Sequence, residues 1–444
     1  MRAAAAHRRV AHLADVTASP GPSSDAFGAG SRGGADPAGA VVVIGGMVLD
    51  VQASPGPGAS LLRGTTAPGT VRQTPGGVGR NIAEGLFRAS ARGAPPPFLL
   101  SAVGDDLAGG ALLEAWRRLG RVSAAGVRVR AGAATPTVAA VLDAGGEVAA
   151  AVADCDTVEA FLDVPWIQAH AARIAAARVV VLDGNCAPAT LAAAVAAARA
   201  PNDAPASAPR RKKENAPLVW FEPVSVAKAA RVFEAGVASE VDVVSPNLAE
   251  LRAMARAARR AASPRAYPEN ENENENESPE PPPAAAADAL ALARDDVDAL
   301  LDAGIGNVVL TLGALGVALC RREAREDIQA EGPARQKNAR SRRSARNVAN
   351  APGGERAPFA RLLIPALPPR AGVRSLVGAG DALVAGSAAA LAAGHDLASA
   401  VAFGAAAARR AVETDANVPS SGVSFAALAA DARVAAAAAT TTTT

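Results

Sequence analysis

The chain is 444 residues long and 50% hydrophobic by type, with 45 Lys and Arg against 43 Asp and Glu and a formal net charge of +2. So near a balance argues against nucleic acid or a membrane surface as the main partner, and no stretch reaches the apolar length of a membrane span. Three scattered cysteines, Cys155, Cys186 and Cys320, stand far from any His at ligand spacing, so they read as reduced intracellular thiols rather than a disulfide framework or a zinc site.

Residues 1–39 open with MRAAAAHRRVAHLADVTASP, in which Arg2, Arg8 and Arg9 precede the first acid, Asp15. That composition suits an organellar presequence and suits an alanine-rich disordered tail equally well. The expected compartment is the cytoplasm or an organelle (mitochondrion, plastid or peroxisome); His12-Leu13 resembles the end of a peroxisomal signal, but its basic position is Ala5 here. Val41–Leu49 reads as a buried strand with Asp50 at its end. Further strands are expected at Phe98–Val103, Val179–Asp183, Leu218–Glu222, Val241–Ser245 and Val308–Leu312, alternating with alanine-rich helical runs. This alternation predicts a parallel sheet covered on both faces, with sites at the carboxyl ends of its strands.

Two stretches, about 52–73 and 127–152, break the pattern and are expected to form a small β lid, the second turning at Gly145-Gly146. Segments 201–216, 259–287 and 323–358 lack apolar periodicity and read as disordered inserts; they include the acidic Glu271–Pro283 and the basic Ala334–Arg346, which are expected to be solvated surface, with a docking site for RNA or an acidic partner as the alternative. Residues 429–444 read as a low-complexity tail. What remains is roughly 300 residues, the size of one large α/β domain spanning 40–428.

Four motifs bear on chemistry. In VRSLVGAGDALVAG, Val373–Val377 reads as strand, Gly378-Ala379-Gly380 as a tight turn and Asp381–Ala393 as a helix. Glycines and first-turn amides make an anion site, and a carboxylate beside it can accept the proton of an attacking hydroxyl. Asp as a plain helix cap competes with that reading. In TPGGVGRNIAEGLFR, Gly76 and Gly77 clear the mouth of a helix with Ile82 and Leu86 on its apolar face, and Asn81 offers a donor and an acceptor to vicinal hydroxyls; with Asp50 this would form a polyol pocket, and a plain glycine turn with Asn on a helix surface competes with that reading. In SPNLAEL, Asn247 and Glu250 form either a capping box or a Mg²⁺–phosphate site. In VVLTLGALGV, Gly313 and Gly316 let a loop pass close to a nucleotide.

In this order the motifs resemble the ribokinase-like (PfkB) family of sugar and nucleoside kinases, across residues 41–425. GGVGRNIAEGL, SAVGDDLAG, VLDGN, WFEPVSVAKA and VGAGDALVAG are most similar to the pseudouridine-kinase branch. The resemblance implies a three-layer α/β/α domain with a mostly parallel central sheet and a small β lid, and ATP-dependent phosphorylation of the 5′-hydroxyl of pseudouridine. It also implies a glycosidase acting on the product, fused in some relatives and without a segment of its own here. By position it makes Asp381 the base, with Gly378, Ala379 and Gly380 as the anion hole; Asp50, Gly76, Gly77, Asn81 and Asn185 would hold the acceptor. Asn247 and Glu250 would order Mg²⁺–phosphate contacts, and Thr311, Gly313 and Gly316 would line the ATP site. Relatives pair through the lid, which implies a homodimer. Many carry Asp-Thr-x before the Gly-Ala-Gly-Asp, where this chain has Ser375, Leu376 and Val377; the missing carboxylate puts a bound monovalent cation in doubt. Other acceptors within the family (ribose, fructose, adenosine) and a non-catalytic regulatory subunit remain open alternatives, the last opposed by the presence of Asp381.

Overall fold

The buried Val-Val-Val-Ile run of β1 (Val41–Ile44) splits its side chains between two cores: Val42 and Ile44 join one apolar cluster, Val41 and Val43 the other. A strand covered on both faces needs such an unbroken apolar run. The computed structural model describes residues 40–56, 58–59, 61, 64–143, 148–200, 216–263, 285–322 and 359–443. The presequence-like segment, the Gly145-Gly146 turn, the acidic run and the basic run lie outside the described residues.

Strands follow in chain order as β2 (Val48–Pro55), β3 (Gly69–Gly76), β4 (Phe98–Gly104), β5 (Val127–Arg130), β6 (Thr137–Leu142), β7 (Val148–Asp154) and β8 (Val179–Asp183), then β9 (Leu218–Glu222), β10 (Val243–Val244), β11 (Asn307–Thr311), β12 (Val317–Arg322), β13 (Phe359–Ile364) and β14 (Thr440–Thr443). Ten of them form one sheet in the order β14-β13-β12-β11-β10-β9-β8-β1-β4-β5. From β11 to β5 neighbours run parallel; β12, β13 and β14 are antiparallel additions. The second sheet, β3-β2-β6-β7, is the smaller one.

One face of the large sheet carries the helices α1 (Val78–Ala89), α2 (Leu107–Arg117), α5 (Ala379–Ala392), α6 (Leu397–Val412) and α7 (Phe425–Ala437); the other carries α3 (Pro188–Arg199) and α4 (Leu248–Ala262). The result is the three-layer α/β/α architecture with a mostly parallel sheet and a small second sheet. Alanine and glycine set the spacing of α5 and α6: Gly386 lies against Ala407, and a methyl at Gly404 would strike Ser387 Oγ and the Leu383 carbonyl. That close approach anchors the helix that begins at Asp381.

Several expectations are corrected. The Val41–Leu49 strand breaks at Gly45-Gly46, so Asp50 sits inside β2, on the small sheet rather than at the end of a main-sheet strand. The stretch 127–152 is divided: β5 pairs with β4 at the edge of the large sheet, and only β6 and β7 join the small one. Val373–Val377 is not a strand. Its Arg374 and Ser375 amides both turn to the Val412 carbonyl at the end of α6, and Val373, Leu376 and Val377 are exposed, so no apolar face is buried that would hold them in a ladder. Residues 259–262 continue α4, and 429–437 complete α7, where Leu428, Ala432 and Ala435 are buried at helical spacing. Thr440–Thr443 pairs with β13.

Candidate active site

In the large sheet β1 has β4 on one side and β8 on the other, so the chain leaves it in one direction and returns on the opposite side. Such a switch point opens a crevice at the strand ends. Gly45-Gly46 follow β1 there, and Asp183 ends β8. Asp183 is 0% exposed. Its Oδ2 accepts from Gly46 N at 2.8 Å and Gly79 N at 2.9 Å, and its Oδ1 accepts from Asn185 N at 2.9 Å. Burial raises its pKa while these donors oppose the rise. One carboxyl group thus ties the ends of two strands to the first turn of α1.

That turn presents Asn81. Its Nδ2 donates to Asp381 Oδ2 at 2.8 Å. Its Oδ1 accepts from Arg80 Nη1 at 2.9 Å, and the same nitrogen donates to Pro75 O at 2.8 Å. Arg80 is buried and paired with Glu84, so the amide of Asn81 has a defined orientation, with its NH₂ toward Asp381. Asp50 reaches the cluster from β2: Asn417 Nδ2 donates to its Oδ2 at 2.7 Å and to Pro75 O at 3.1 Å. Gly76 must lack a side chain, because a Cβ would strike Asp50 Oδ2. Loss of hydration raises the Asp50 pKa, against the Asn417 hydrogen bond and the charge of Arg80.

Asp381 stands in the first turn of α5. Gly378 caps that helix at φ 80, a left-handed conformation, and a Cβ there would meet the Asn417 carbonyl, so both its dihedral and its surroundings require glycine. Among the described residues no acceptor meets the amides of Gly378, Gly380 and Asp381; the Ala379 amide makes a long bond of 3.4 Å to Leu376 O. A Cβ on Gly380 would meet open space. Free amides at a helix start beside open space can receive an anion. The carboxyl of Asp381 is half-buried, and loss of hydration pushes its pKa up to about 7, with the Asn81 hydrogen bond opposing and the charges of Asp183 and Asp50 adding to the rise.

The second cluster lies on the β10–β11 side. Asn247 caps α4 and forms the reciprocal capping box with Glu250, each side chain accepting from the other's backbone amide at 2.9 Å. Asn247 bridges Thr311, whose amide donates to Pro246 O at 2.9 Å. Gly313–Leu315 makes one 3₁₀ turn, closed by Leu312 N donating to Gly316 O at 2.9 Å. So Asn247, Glu250, Thr311, Gly313 and Gly316 meet at neighbouring strand ends. Burial raises the Glu250 pKa.

Five residues in the site went unassigned or were given no role by the sequence reading: Arg80, Asp183, Glu222, Lys228 and Asn417. Glu222, at the end of β9, accepts from Ser245 Oγ, which in turn accepts from Trp220 Nε1 at 2.7 Å. Its pKa is pushed well above the carboxylate range, first by burial and then by the charges of Glu250 and Asp381. On the opposite wall Asn185 Oδ1 accepts from Lys228 Nζ at 2.6 Å. An acid ending a buried strand was the available signal for Asp183 and Glu222; nothing local marks Asn417.

Among the described residues no trio of His, Cys, Asp or Glu forms a closed metal site. Glu222 and Glu250 nevertheless supply hard oxygen donors of the kind that suits Mg²⁺, which keeps water and phosphate among its ligands.

The model of the pfkB family carbohydrate kinases matches residues 39–337 and 360–419. The chain belongs to that family, and it is a phosphotransferase acting on an alcohol group. It is 35% identical over 391 residues to the pseudouridine kinase of Arabidopsis thaliana, covering 85% of this chain and 92% of that one. Its fold is similar to that of a carbohydrate kinase from Agrobacterium tumefaciens (TM-score 0.58, 22% identity, 91% and 99% of the two chains). The ribokinase of Arabidopsis thaliana, solved with ribose and ATP, is comparable (TM-score 0.54, 17% identity, 88% and 98%).

Proposed function

We propose that the chain transfers the terminal phosphoryl group of ATP to the 5′-hydroxyl of pseudouridine. The observation that carries this reading is the pairing of Asp381 with Asn81 beside the free amides of Gly378 and Gly380. The 35% identity to the Arabidopsis pseudouridine kinase supports the choice of acceptor.

The acceptor's ribose lies against Asp50, Gly76, Gly77, Asn81 and Asn185, with its 5′-oxygen at Asp381. Asp381, with a pKa of about 7, is largely ionised just above neutrality and basic enough to take the hydroxyl proton as the oxygen attacks phosphorus. Asn81 holds that carboxylate at one oxygen and leaves the other for the substrate. The amides of Gly378, Gly380 and Asp381, together with the α5 dipole, stabilise the charge that gathers on the phosphoryl oxygens in flight. Thr311, Gly313 and Gly316 form the floor under the nucleotide. Glu250 and Glu222 would hold Mg²⁺, which when bound neutralises charge on the phosphate oxygens.

The test offers purified protein ATP–Mg²⁺ with pseudouridine, uridine, adenosine, ribose or fructose and follows ADP release. Preferred turnover of pseudouridine is the expected result; preferred turnover of another acceptor replaces the substrate assignment, and no turnover on any removes the kinase reading.

A further inference from the structure

The loop leaving β9 carries the one non-glycine residue with a positive φ among the described residues, Val224 at 71°. Ser225 N donates to Pro223 O at 2.8 Å, closing a γ-turn around it. A β-branched side chain is strained in that conformation, and strained backbone gathers where a site must be held in place. This turn does two things. The Val224 amide meets the carboxyl of Glu222, and the chain doubles back so that Lys228 lies over the end of β8, close enough that a Cβ on Gly184 would sit 3.3 Å from Lys228 Cβ.

Lys228 Nζ then donates to Asn185 Oδ1 at 2.6 Å. The Asn185 amide has no freedom to turn, since its Nδ2 donates to the buried Asp183 Oδ2 at 3.1 Å. Lys228 and Asp50 both act electrostatically on Cys155, just past the end of β7, so the ammonium and the Asp50 carboxyl lie within range of the same thiol. An ammonium has three donors. Among the described residues Lys228 forms no ion pair and no hydrogen bond beyond that to Asn185, so two donors are left for a ligand.

We propose that Lys228 is a specificity-determining residue: its ammonium donates to a ring carbonyl of the nucleoside whose ribose is held by Asp50, Asn81 and Asn185. The inference rests on pseudouridine being the acceptor. A carbonyl-bearing pyrimidine presents acceptors to such a cation at the ring position, whereas a hydrocarbon ring there does not. Because Lys228 is braced through Asn185 on Asp183, the same buried carboxyl that positions the helix bearing Asn81 also positions the reader of the ring.

The experiment compares wild type, Lys228→Met and Lys228→Arg, with Lys228→Gln in case the Met variant does not fold. Two acceptors are used: pseudouridine, and phenyl C-riboside, which carries the same ribose on a ring without carbonyls. The wild-type preference for pseudouridine in kcat/KM should fall about ten- to a hundred-fold in Lys228→Met, the loss lying in KM for the nucleoside, and should recover in part in Lys228→Arg. An unchanged preference, an equal loss on both acceptors, or a loss carried by KM for ATP would overturn the proposal. If wild type does not phosphorylate pseudouridine at all, the functional reading fails and the inference falls with it, a result distinct from a variant that keeps its preference.

Discussion

Asn81 Nδ2 donates a 2.8 Å hydrogen bond to Asp381 Oδ2, joining the first turns of two helices whose residues stand 300 positions apart. The orientation of that amide is imposed from behind, because Arg80 Nη1 donates to Asn81 Oδ1. Arg80→Met should therefore loosen the base without touching it. The charge of Arg80 lowers the Asp381 pKa, so its loss moves that pKa up. A base works ionised: wild-type kcat/KM should rise with pH through about 7, and the variant's rising limb should lie at higher pH with kcat about ten-fold lower. Glu84 keeps Arg88 as a partner at 2.6 Å, so no buried carboxylate is left alone. An unshifted pH profile would show that Arg80 only packs.

The same carboxyl makes a prediction about stability. Asp381 has a pKa of about 7 in the folded chain against an ordinary 3.8, so its contribution to stability is fully present below pH 3.8 and is lost as pH rises through 7. At pH 8 the fold bears a desolvated charge, and Asp381→Asn removes it. Thermal melts should show the variant more stable than wild type at pH 8, by about 2–4 kcal/mol, and the gain should largely vanish by pH 4.

Asp183 is expected to matter for folding more than for chemistry. Asp183→Ala leaves the amides of Gly46, Gly79 and Asn185 without their acceptor in a buried crevice. Unfolding by denaturant should show a loss of about 3 kcal/mol or more, and the surviving enzyme should have a raised KM for its acceptor because α1 is no longer fixed to the strand ends.

A fourth prediction concerns monovalent cations. Where many relatives carry a carboxylate ahead of the Gly-Ala-Gly-Asp, this chain has Ser375, and the neighbouring Arg374 forms an ion pair with Asp415 at 2.7 Å. The amides of Arg374 and Ser375 already occupy the Val412 carbonyl. A guanidinium and two amides in that region oppose a bound cation. The rate should stay within about two-fold when K⁺ is replaced by tetramethylammonium at constant ionic strength, which holds general screening fixed.

Where a pattern is local, it was legible in the sequence. Val179–Asp183 and Leu218–Glu222 match β8 and β9 residue for residue, because a run buried on both faces is apolar up to the acid that ends it. Asn247 and Glu250 announce their capping box by spacing alone. What escaped depends on partners far along the chain. Val373–Val377 looks like a strand by residue type, but its amides are claimed by Val412 and its side chains are left in solvent. By residue type Asp50 ends the first main strand, and the Gly45-Gly46 break instead carries it onto the small sheet. Asn417, which fixes Asp50, belongs to no motif, and only the folded chain brings the two within 2.7 Å.

The central claim is that Asp381 takes the proton of the pseudouridine 5′-hydroxyl as ATP donates its phosphoryl group. The most direct test incubates wild type and Asp381→Asn with ATP, Mg²⁺ and pseudouridine, and follows the nucleoside monophosphate by ³¹P NMR, with ATP binding measured in parallel by calorimetry. The account predicts a 5′-phosphate from wild type, a rate about 10²–10⁴-fold lower for the variant, and ATP affinity within a few-fold for both. A variant that retains most of the wild-type rate, or a wild type that forms no phosphorylated nucleoside, would contradict it.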